Sequence, residues 1–297
     1  MSTAGRPGDN KNLCVASARD GTIATPLLDL SVTMGCGQVF GWAEYDESYF
    51  GIIDHAGVSL KQVGATVRFA TDGAINASRV RHYLALDDDL EAILDSVRVD
   101  PFMRRVLGAV KGLRLLKQDP WHCLCSYLIS SNNRVERIDR SVKEIARKWG
   151  TRHTVRCREV FDLPGANNLA RCAERGIRSC GVGFRAPYLR ETARDVAAGR
   201  VDLDRIGRLP YDDAKQALLD LRGVGDKIAD CVLLFAYSKF EAFPVDVWIK
   251  RAVEKIYFRS RSLTTRDIHQ FAREHFGPYA GYAQEYIYHF ARIHGLD

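Results

Sequence analysis

The sequence predicts an α+β protein: an N-terminal antiparallel β-sheet domain followed by a helical bundle that carries a tight helical hairpin. Three observations lead there. From about Pro26 to Thr71 the chain runs in short apolar or alternating segments parted by turn residues, the period-two pattern of half-buried strands. After Ser78 apolar residues recur at three-to-four spacing, in runs that several times end on glycine, as helices do. Between two of those runs lies "LRGVGDKIADC", Leu221 to Cys231, with two glycines one residue apart and a lysine where the next helix should begin.

In chain order, residues 1–22 lack the continuous apolar core of a secretory signal and are expected to form a flexible tail. Residues 23–110 are assigned to the sheet domain and its flanking helices. Its strands are expected in "QVFGWAEY", "SYFGIID", "VSLKQV" and "TVRFAT", separated by "HAG" and "GA". The run "VRHYLALDDDLEAILDSV" opens the helical texture. Residues 111–297 are assigned to the helical domain, with helices in "RVERIDRSVKEIARKWG", "YLRETARDVAAG", "YDDAKQALLDL", "KIADCVLLFAY", "DVWIKRAVEKIYF", "TTRDIHQFAREHFG" and "YAQEYIYHFARIHG".

The 297 residues, 46% hydrophobic and 27% charged, suit two globular domains, and no apolar run approaches the roughly 18–20 residues of a membrane span. A net charge of +6 is compatible with a polyanionic partner without demanding one. Eight scattered cysteines with no C-x-x-C are expected to be reduced thiols of an intracellular, non-secreted protein, and they give a zinc or iron–sulfur site little to build on.

Helix, "RGVG", helix outlines a tight hairpin in which Gly223 and Gly225 are expected to take backbone angles closed to other residues and to let another backbone approach. The helix opening near Asp226 would present free N–H groups and the positive end of its dipole, a phosphate site that reads no base sequence. An ordinary helix–helix turn also favours glycine, so the glycines alone leave both readings open. Lys227 stands in the first helical turn, where the dipole disfavours a cation by a few tenths to about 1 kcal/mol, and the apolar run "IADCVLLFA" follows it. Only a neutral amine is a nucleophile, and a positive, partly desolvated position favours that form; a solvated lysine is the plainer alternative. Further on, "FPVDVWIKRAVEKIYF" brings Pro244 and Asp246 to the start of an amphipathic helix, where capping alone would account for Asp246.

In their order and spacing, hairpin, helix-start lysine, apolar spacer and Pro-Val-Asp resemble the helix-hairpin-helix, Gly-Pro-Asp superfamily of base-excision DNA glycosylases. The resemblance runs from about Leu27 to Ile293 and is nearest to the eukaryotic type of 8-oxoguanine DNA glycosylase/AP lyase, through "CGQVFGW", "GLRLLKQDPWHCLCSYLISSNN", "GVGFRAPYL" and "GPYAGYAQEYIY". It implies a monomeric enzyme of base excision repair that acts on double-stranded DNA carrying 8-oxoguanine opposite cytosine. The base is flipped out and excised through a lysine Schiff base, and the strand is then nicked by β-elimination. No cofactor is required and no iron–sulfur cluster is implied. A monovalent or calcium-like cation at the hairpin would be held by the carbonyls of Leu219, Leu221 and Val224.

Carried over by position, the resemblance makes Lys227 the Schiff-base nucleophile and Asp246 the carboxylate that stabilises positive charge at C1′. The Gly37 carbonyl would accept the N7–H that 8-oxoguanine has and guanine lacks. Gln284 would read the Watson–Crick edge, Cys231 and Tyr288 would sandwich the ring, and Pro244 would border the pocket. Asn132 would enter the gap in the duplex, Arg137 and Arg185 would contact the orphan cytosine, and Phe184 would act as a wedge. Taken singly, Gln284 also reads as a surface residue, Cys231 and Tyr288 as core, and the stripe of Arg134, Arg137, Arg140 and Arg147 as a solvated helix face. The chain departs from the family at three places. Trp248 stands at the DNA-contacting position that usually holds histidine, with Ala291 replacing that histidine's aspartate. Tyr288 replaces phenylalanine, and Arg134 replaces the third asparagine of an "NNN" run. Two other readings stay open on sequence: a glycosylase for another oxidised base such as a formamidopyrimidine purine, and a non-catalytic DNA-binding module.

Overall fold

The computed structural model describes residues 19–296. Strand β1 (Arg19–Ala24) precedes helix α1 (Leu30–Gly35), which is capped by Asp29, and then come β2 (Ala43–Tyr45), β3 (Ser48–Ile53), β4 (Ala56–Val63) and β5 (Thr66–Thr71). These form one antiparallel sheet in the order β1-β5-β4-β3-β2, with Leu60 opposite Phe69 and Phe50 opposite Ser59. The expected tail is corrected at its end: residues 19–22 belong to β1, while 1–18 lie outside the described residues. "RDGTIA" escaped the sequence pattern because only Ile23 is buried along this edge strand, and Gly21 leaves room for the Phe69 ring, whose atoms would lie 2.4 Å from an added Cβ.

Helices α2 (Ala77–Tyr83), α3 (Leu90–Ser96) and α4 (Pro101–Ala109) follow. The single periodic run expected here is broken between α2 and α3, because Asp89 accepts the Ala92 N–H and caps a new helix. Residues 90–110 were grouped with the sheet, yet their apolar side chains, Leu90, Ile93, Met103, Val106 and Leu107 among them, enter the core of the helical part. The sheet's own core ends at Leu86, apart from Leu116. The two cores therefore divide near residue 87 rather than at 110/111. A face of a short helix is claimed by whichever neighbour buries it, which local periodicity does not specify.

The helical part continues with α5 (Pro120–Ser130), α6 (Val135–Trp149), the hairpin β6 (Arg152–Val155) and β7 (Arg158–Phe161), then α7 (Ala166–Arg171), α8 (Glu174–Ile177), α9 (Ala186–Ala197), α10 (Leu203–Arg208), α11 (Tyr211–Leu219), α12 (Asp226–Tyr237), α13 (Val247–Tyr257), α14 (Thr265–Phe276) and α15 (Ala280–His294). The β6–β7 hairpin is an addition to the expected all-helical region; its Val155 and Val160 pack on Phe50 and Ala70 of the first sheet. Cys157, in its turn, is disulfide-bonded, which corrects the expectation of reduced thiols throughout. Sequence spacing does not reveal which Cβ atoms meet in space. Cys36, Cys123, Cys125, Cys172, Cys180 and Cys231 are free. No described helix is long and apolar enough to cross a membrane.

Candidate active site

The hairpin joins α11 to α12 through Leu221–Gly225, and the Val224 N–H donates to the Leu221 carbonyl at 3.0 Å. Gly223 needs to be glycine: its φ is +89°, and a Cβ would lie 2.5 Å from the Tyr188 ring. Gly225 does not, which corrects half of the sequence argument. It caps α12 in an extended conformation (φ −112°, ψ 179°), with open space where a side chain would stand. Its lack of a side chain leaves the first amides of α12 unobstructed, as an approaching anion requires.

Lys227, in the first turn of α12, is half-buried, and its Nζ donates to Ser130 Oγ at 3.0 Å. The amine also lies 5.0 Å from the centroid of Tyr127. Ser130 Oγ in turn donates to the Tyr127 carbonyl at 2.7 Å, so the last turn of α5 fixes the amine's position. Asp246 caps α13, its Oδ1 accepting the Ile249 N–H at 2.8 Å. Both residues line one cleft.

The same cleft is lined by Gly37, Cys231, Pro244, Gln284 and Tyr288, so the structure gathers all seven residues expected for catalysis and the base pocket. They come from the loop after α1, from α12, from the approach to α13 and from α15. Gly37 has φ +104°, and Arg292 beside it donates to the Cys36 carbonyl at 2.7 Å. The next residue, Gln38, is fully buried and anchors this loop: its amide donates to the Thr33 and Arg114 carbonyls, and its Oε1 accepts the Leu116 N–H. Burial pushes the Cys231 thiol up to about 12. Burial, and then Glu285, push the Tyr288 phenol up to about 12. Both flank the cleft as neutral groups at neutral pH.

Sequence reasoning missed Phe40, Tyr127, Ser130, Asn133, Phe235 and, above all, Glu285. A glutamate one residue after Gln284 reads as the solvent side of a helix. The signal that could have found it is the apolar run on every side of α15, which is buried continuously from Ala280 to Ile287.

Beside the cleft, Asn132 is exposed in the α5–α6 loop with φ +47°, a left-handed conformation that asparagine tolerates better than most residues. Arg137, Arg140 and Arg147 are exposed along α6, opposite buried Ile138, Val142 and Ile145. Phe184 is 52% exposed, and the Arg185 guanidinium lies 4.3 Å from its ring centroid. Arg185 itself corrects an expectation, since it is 6% exposed and turned inward. It donates to the carbonyls of Ser131, of Asn132 at 2.9 Å and of Val182 at 3.2 Å. It therefore holds the Asn132 loop instead of presenting its donors. At the start of α13 Val247 and Trp248 are exposed, Trp248 by 50%, while Ala291 is buried on α15.

Among the described residues one trio of His, Cys, Asp or Glu groups lies close enough to suggest a metal ion: His55, His122 and Asp162. The Asp162 oxygens lie 2.7 Å from His55 Nδ1 and 2.8 Å from His122 Nε2, the first a hydrogen bond and the second an ion-pair contact. Two ligands of one tetrahedral zinc ion stand about 3.3 Å apart. The trio is too tightly drawn together for that and reads as a carboxylate shared by two imidazoles.

Residues 22–124 match the family model of the 8-oxoguanine DNA glycosylase N-terminal domain, and residues 125–278 match that of HhH-GPD superfamily base excision DNA repair proteins. A probable N-glycosylase/DNA lyase of Methanothermobacter thermautotrophicus is 40% identical over 66% of this chain and 69% of its own length. The N-glycosylase/DNA lyase OGG1 of Arabidopsis thaliana is 30% identical over 88% of this chain and 76% of its own. A Clostridium acetobutylicum 8-oxoguanine glycosylase/lyase, solved with double-stranded DNA containing cytosine opposite 8-oxoG, superposes with a TM-score of 0.84 at 31% identity, covering 89% of this chain and 92% of that one.

Proposed function

Since the chain belongs to the 8-oxoguanine DNA glycosylases of the helix-hairpin-helix superfamily, and so is an N-glycosylase/DNA lyase of base excision repair, we propose that Lys227 and Asp246 carry its chemistry in the cleft they share. The observation that supports this reading is the convergence on one cleft of seven residues drawn from four separate stretches of the sequence. The enzyme excises 8-oxoguanine opposite cytosine. That base has to leave the helix to be reached, and a pocket lined by Cys231 and Tyr288 offers two neutral faces for it to stack between. Gly37 supplies the carbonyl for N7–H. Guanine would cover that carbonyl with an acceptor, at a cost of about 1–3 kcal/mol.

As the glycosidic bond breaks, positive charge grows at C1′, and the Asp246 carboxylate is stronger there than against the uncharged ground state. The Lys227 amine forms its bond to C1′ while the base departs with the bonding electrons. Opening of the sugar ring then breaks the C1′–O4′ bond, its electron pair staying on O4′, which takes up the proton given up by the amine and becomes the C4′ hydroxyl, and C1′ is left as the imine. β-Elimination then gives up a C2′ proton to water, the electrons of that C–H bond forming the C2′–C3′ double bond as the C3′–O bond breaks and the phosphate leaves with its electron pair. Asn132, Arg137, Phe184 and Trp248 form the DNA-facing surface in this reading, Asn132 filling the gap while Arg185 braces it from below. The open start of α12 at Gly225, together with Gly223 in the turn, brings a phosphate in. The turn that follows α11 suits a monovalent or calcium-like cation on the carbonyls of Leu219, Leu221 and Val224, Leu221 offering the lone pair that the Val224 N–H leaves free, for the end of a helix is the negative end of its dipole. That ion would add positive charge beside the same phosphate.

Borohydride trapping tests the assignment. A covalent adduct is expected on a duplex with one 8-oxoguanine opposite cytosine, and it should vanish in Lys227→Gln while duplex binding persists. An adduct of undiminished yield in Lys227→Gln would remove the lysine from the mechanism.

A further inference from the structure

Gln284 and Glu285 lie side by side on α15, 4% and 3% exposed, and both line the cleft. Each has a buried Oε1 that no group among the described residues hydrogen-bonds. An unpartnered buried oxygen is costly and points to a ligand. Glu285 meets the thiol of Cys36, the residue immediately before Gly37. The charged and titratable groups around it are Cys36 from the α1 loop, Tyr127 from α5, Lys227 and Cys231 from α12, Asp246 at the cap of α13, and Tyr288 and Arg292 from its own helix. Burial, with Asp246 adding to it, favours its neutral form, while a hydrogen bond with the Cys36 thiol, Arg292 and Lys227 favour the charged one; burial prevails, and the carboxyl is pushed up to about 7.

The chemistry of the base decides which form fits, on the reading that the Gly37 carbonyl receives N7–H. In 8-oxoguanine N7–H is flanked on both sides by carbonyl oxygens, O6 and O8. A group beside the Gly37 carbonyl therefore meets an acceptor whichever side it lies on. A carboxylate, which only accepts, is repelled there, whereas a carboxylic acid has one O–H to give. We propose that Glu285, in its protonated form, donates a hydrogen bond to one of the two carbonyl oxygens flanking N7–H of the flipped base. It is a recognition residue, and it ties base excision to pH through a group that acts on the base and not on the sugar.

Abasic DNA separates these effects, because it carries the sugar that Lys227 attacks and no base for Glu285 to hold. Excision from an 8-oxoguanine:cytosine duplex and cleavage of an abasic:cytosine duplex are measured in the same samples from pH 6 to 8.5, and their ratio is the readout. For the native protein the ratio should fall roughly tenfold from pH 7 to 8.5, as the donor form is lost. Glu285→Gln keeps a donor without a titration, so its ratio should stay within a few-fold of the native value at pH 6 and be flat with pH. Glu285→Ala should lower the ratio throughout. A native ratio that is flat or rises with pH, or a Glu285→Gln ratio as low as that of Glu285→Ala, overturns the proposal. If abasic DNA is cleaved but 8-oxoguanine is never excised, the substrate reading fails and takes the proposal with it.

Discussion

At Asp246 one carboxylate serves a helix and a cleft together, and the two roles can be pulled apart. Asparagine caps a helix about as well as aspartate but carries no charge to set against the sugar. In Asp246→Asn the thermal midpoint and duplex affinity should hardly change, while excision of 8-oxoguanine falls by about 10²–10³, the usual loss when one preorganised electrostatic stabiliser is removed. Equal losses of affinity and excision would make the residue chiefly a cap. Lys227 and Asp246 were legible in the sequence because each is pinned to a helix start, a position that local signals mark well. Arg185 was legible as a residue but not as a direction. Its turn inward depends on the carbonyls of Ser131 and Asn132, more than fifty positions away. Glu285 was hidden for a related reason: a carboxylate on α15 faces solvent or cleft according to how many neighbours enclose that helix.

The helical hairpin shows how far an element can be read from its residues. Its two glycines look equivalent in "RGVG", yet only Gly223 has a positive φ and a neighbour, Tyr188, that a Cβ would strike. Gly223→Ala should cost about 1–3 kcal/mol of stability from backbone strain and collision. Gly225→Ser should act in the opposite sense on the fold, because serine is the better N-cap by a few tenths of a kcal/mol. Its side chain would nevertheless stand before the open amides of α12. Affinity for an undamaged duplex, read by fluorescence anisotropy, should drop roughly fivefold, the weight of one hydrogen-bonded contact of about 1 kcal/mol, with no loss in melting temperature. A Gly225→Ser protein that binds DNA as the native one does would remove the phosphate from this helix start. The helices α6, α9 and α11 to α15 were legible because their apolar period is long and strong. β1 and the β6–β7 hairpin were not, being short strands whose pairing depends on partners far along the chain.

At the scale of the whole molecule the sheet and the helical part meet along a seam with a small apolar cluster and several ionic contacts. Phe50, Ala70, Val155 and Val160 form the cluster, and beside it run Asp72–His153, Asp20–Arg156 and the shared carboxylate of Asp162. None of this was visible before folding, since each contact joins segments dozens of residues apart. Asp162 is 7% exposed and lies between His55, in the β3–β4 turn, and His122, in the first turn of α5. Burial pushes its carboxyl upward, but the two histidines, His122 first, outweigh that and hold it below the usual carboxylate range. The His55 imidazole is raised above 6.5, first by its hydrogen bond to Asp162, with burial partly opposing. A base raised on folding stabilises the native state fully below its unfolded value and loses that contribution as pH climbs through the folded one. A depressed acid contributes above its unfolded value, near 3.9, and loses the contribution as pH falls. The clamp should thus be strongest between about pH 4 and 6.5. Because the His55 side chain is 65% exposed, solvent screening limits its share to under about 1 kcal/mol, which in a chain of this size is about 1–3 °C in melting temperature. Thermal unfolding of native and His55→Gln proteins at pH 6 and pH 8 should show the native protein ahead by that margin at pH 6 and level at pH 8. The same difference at both values would mean that a neutral hydrogen bond, not the charged pair, joins the sheet to the bundle.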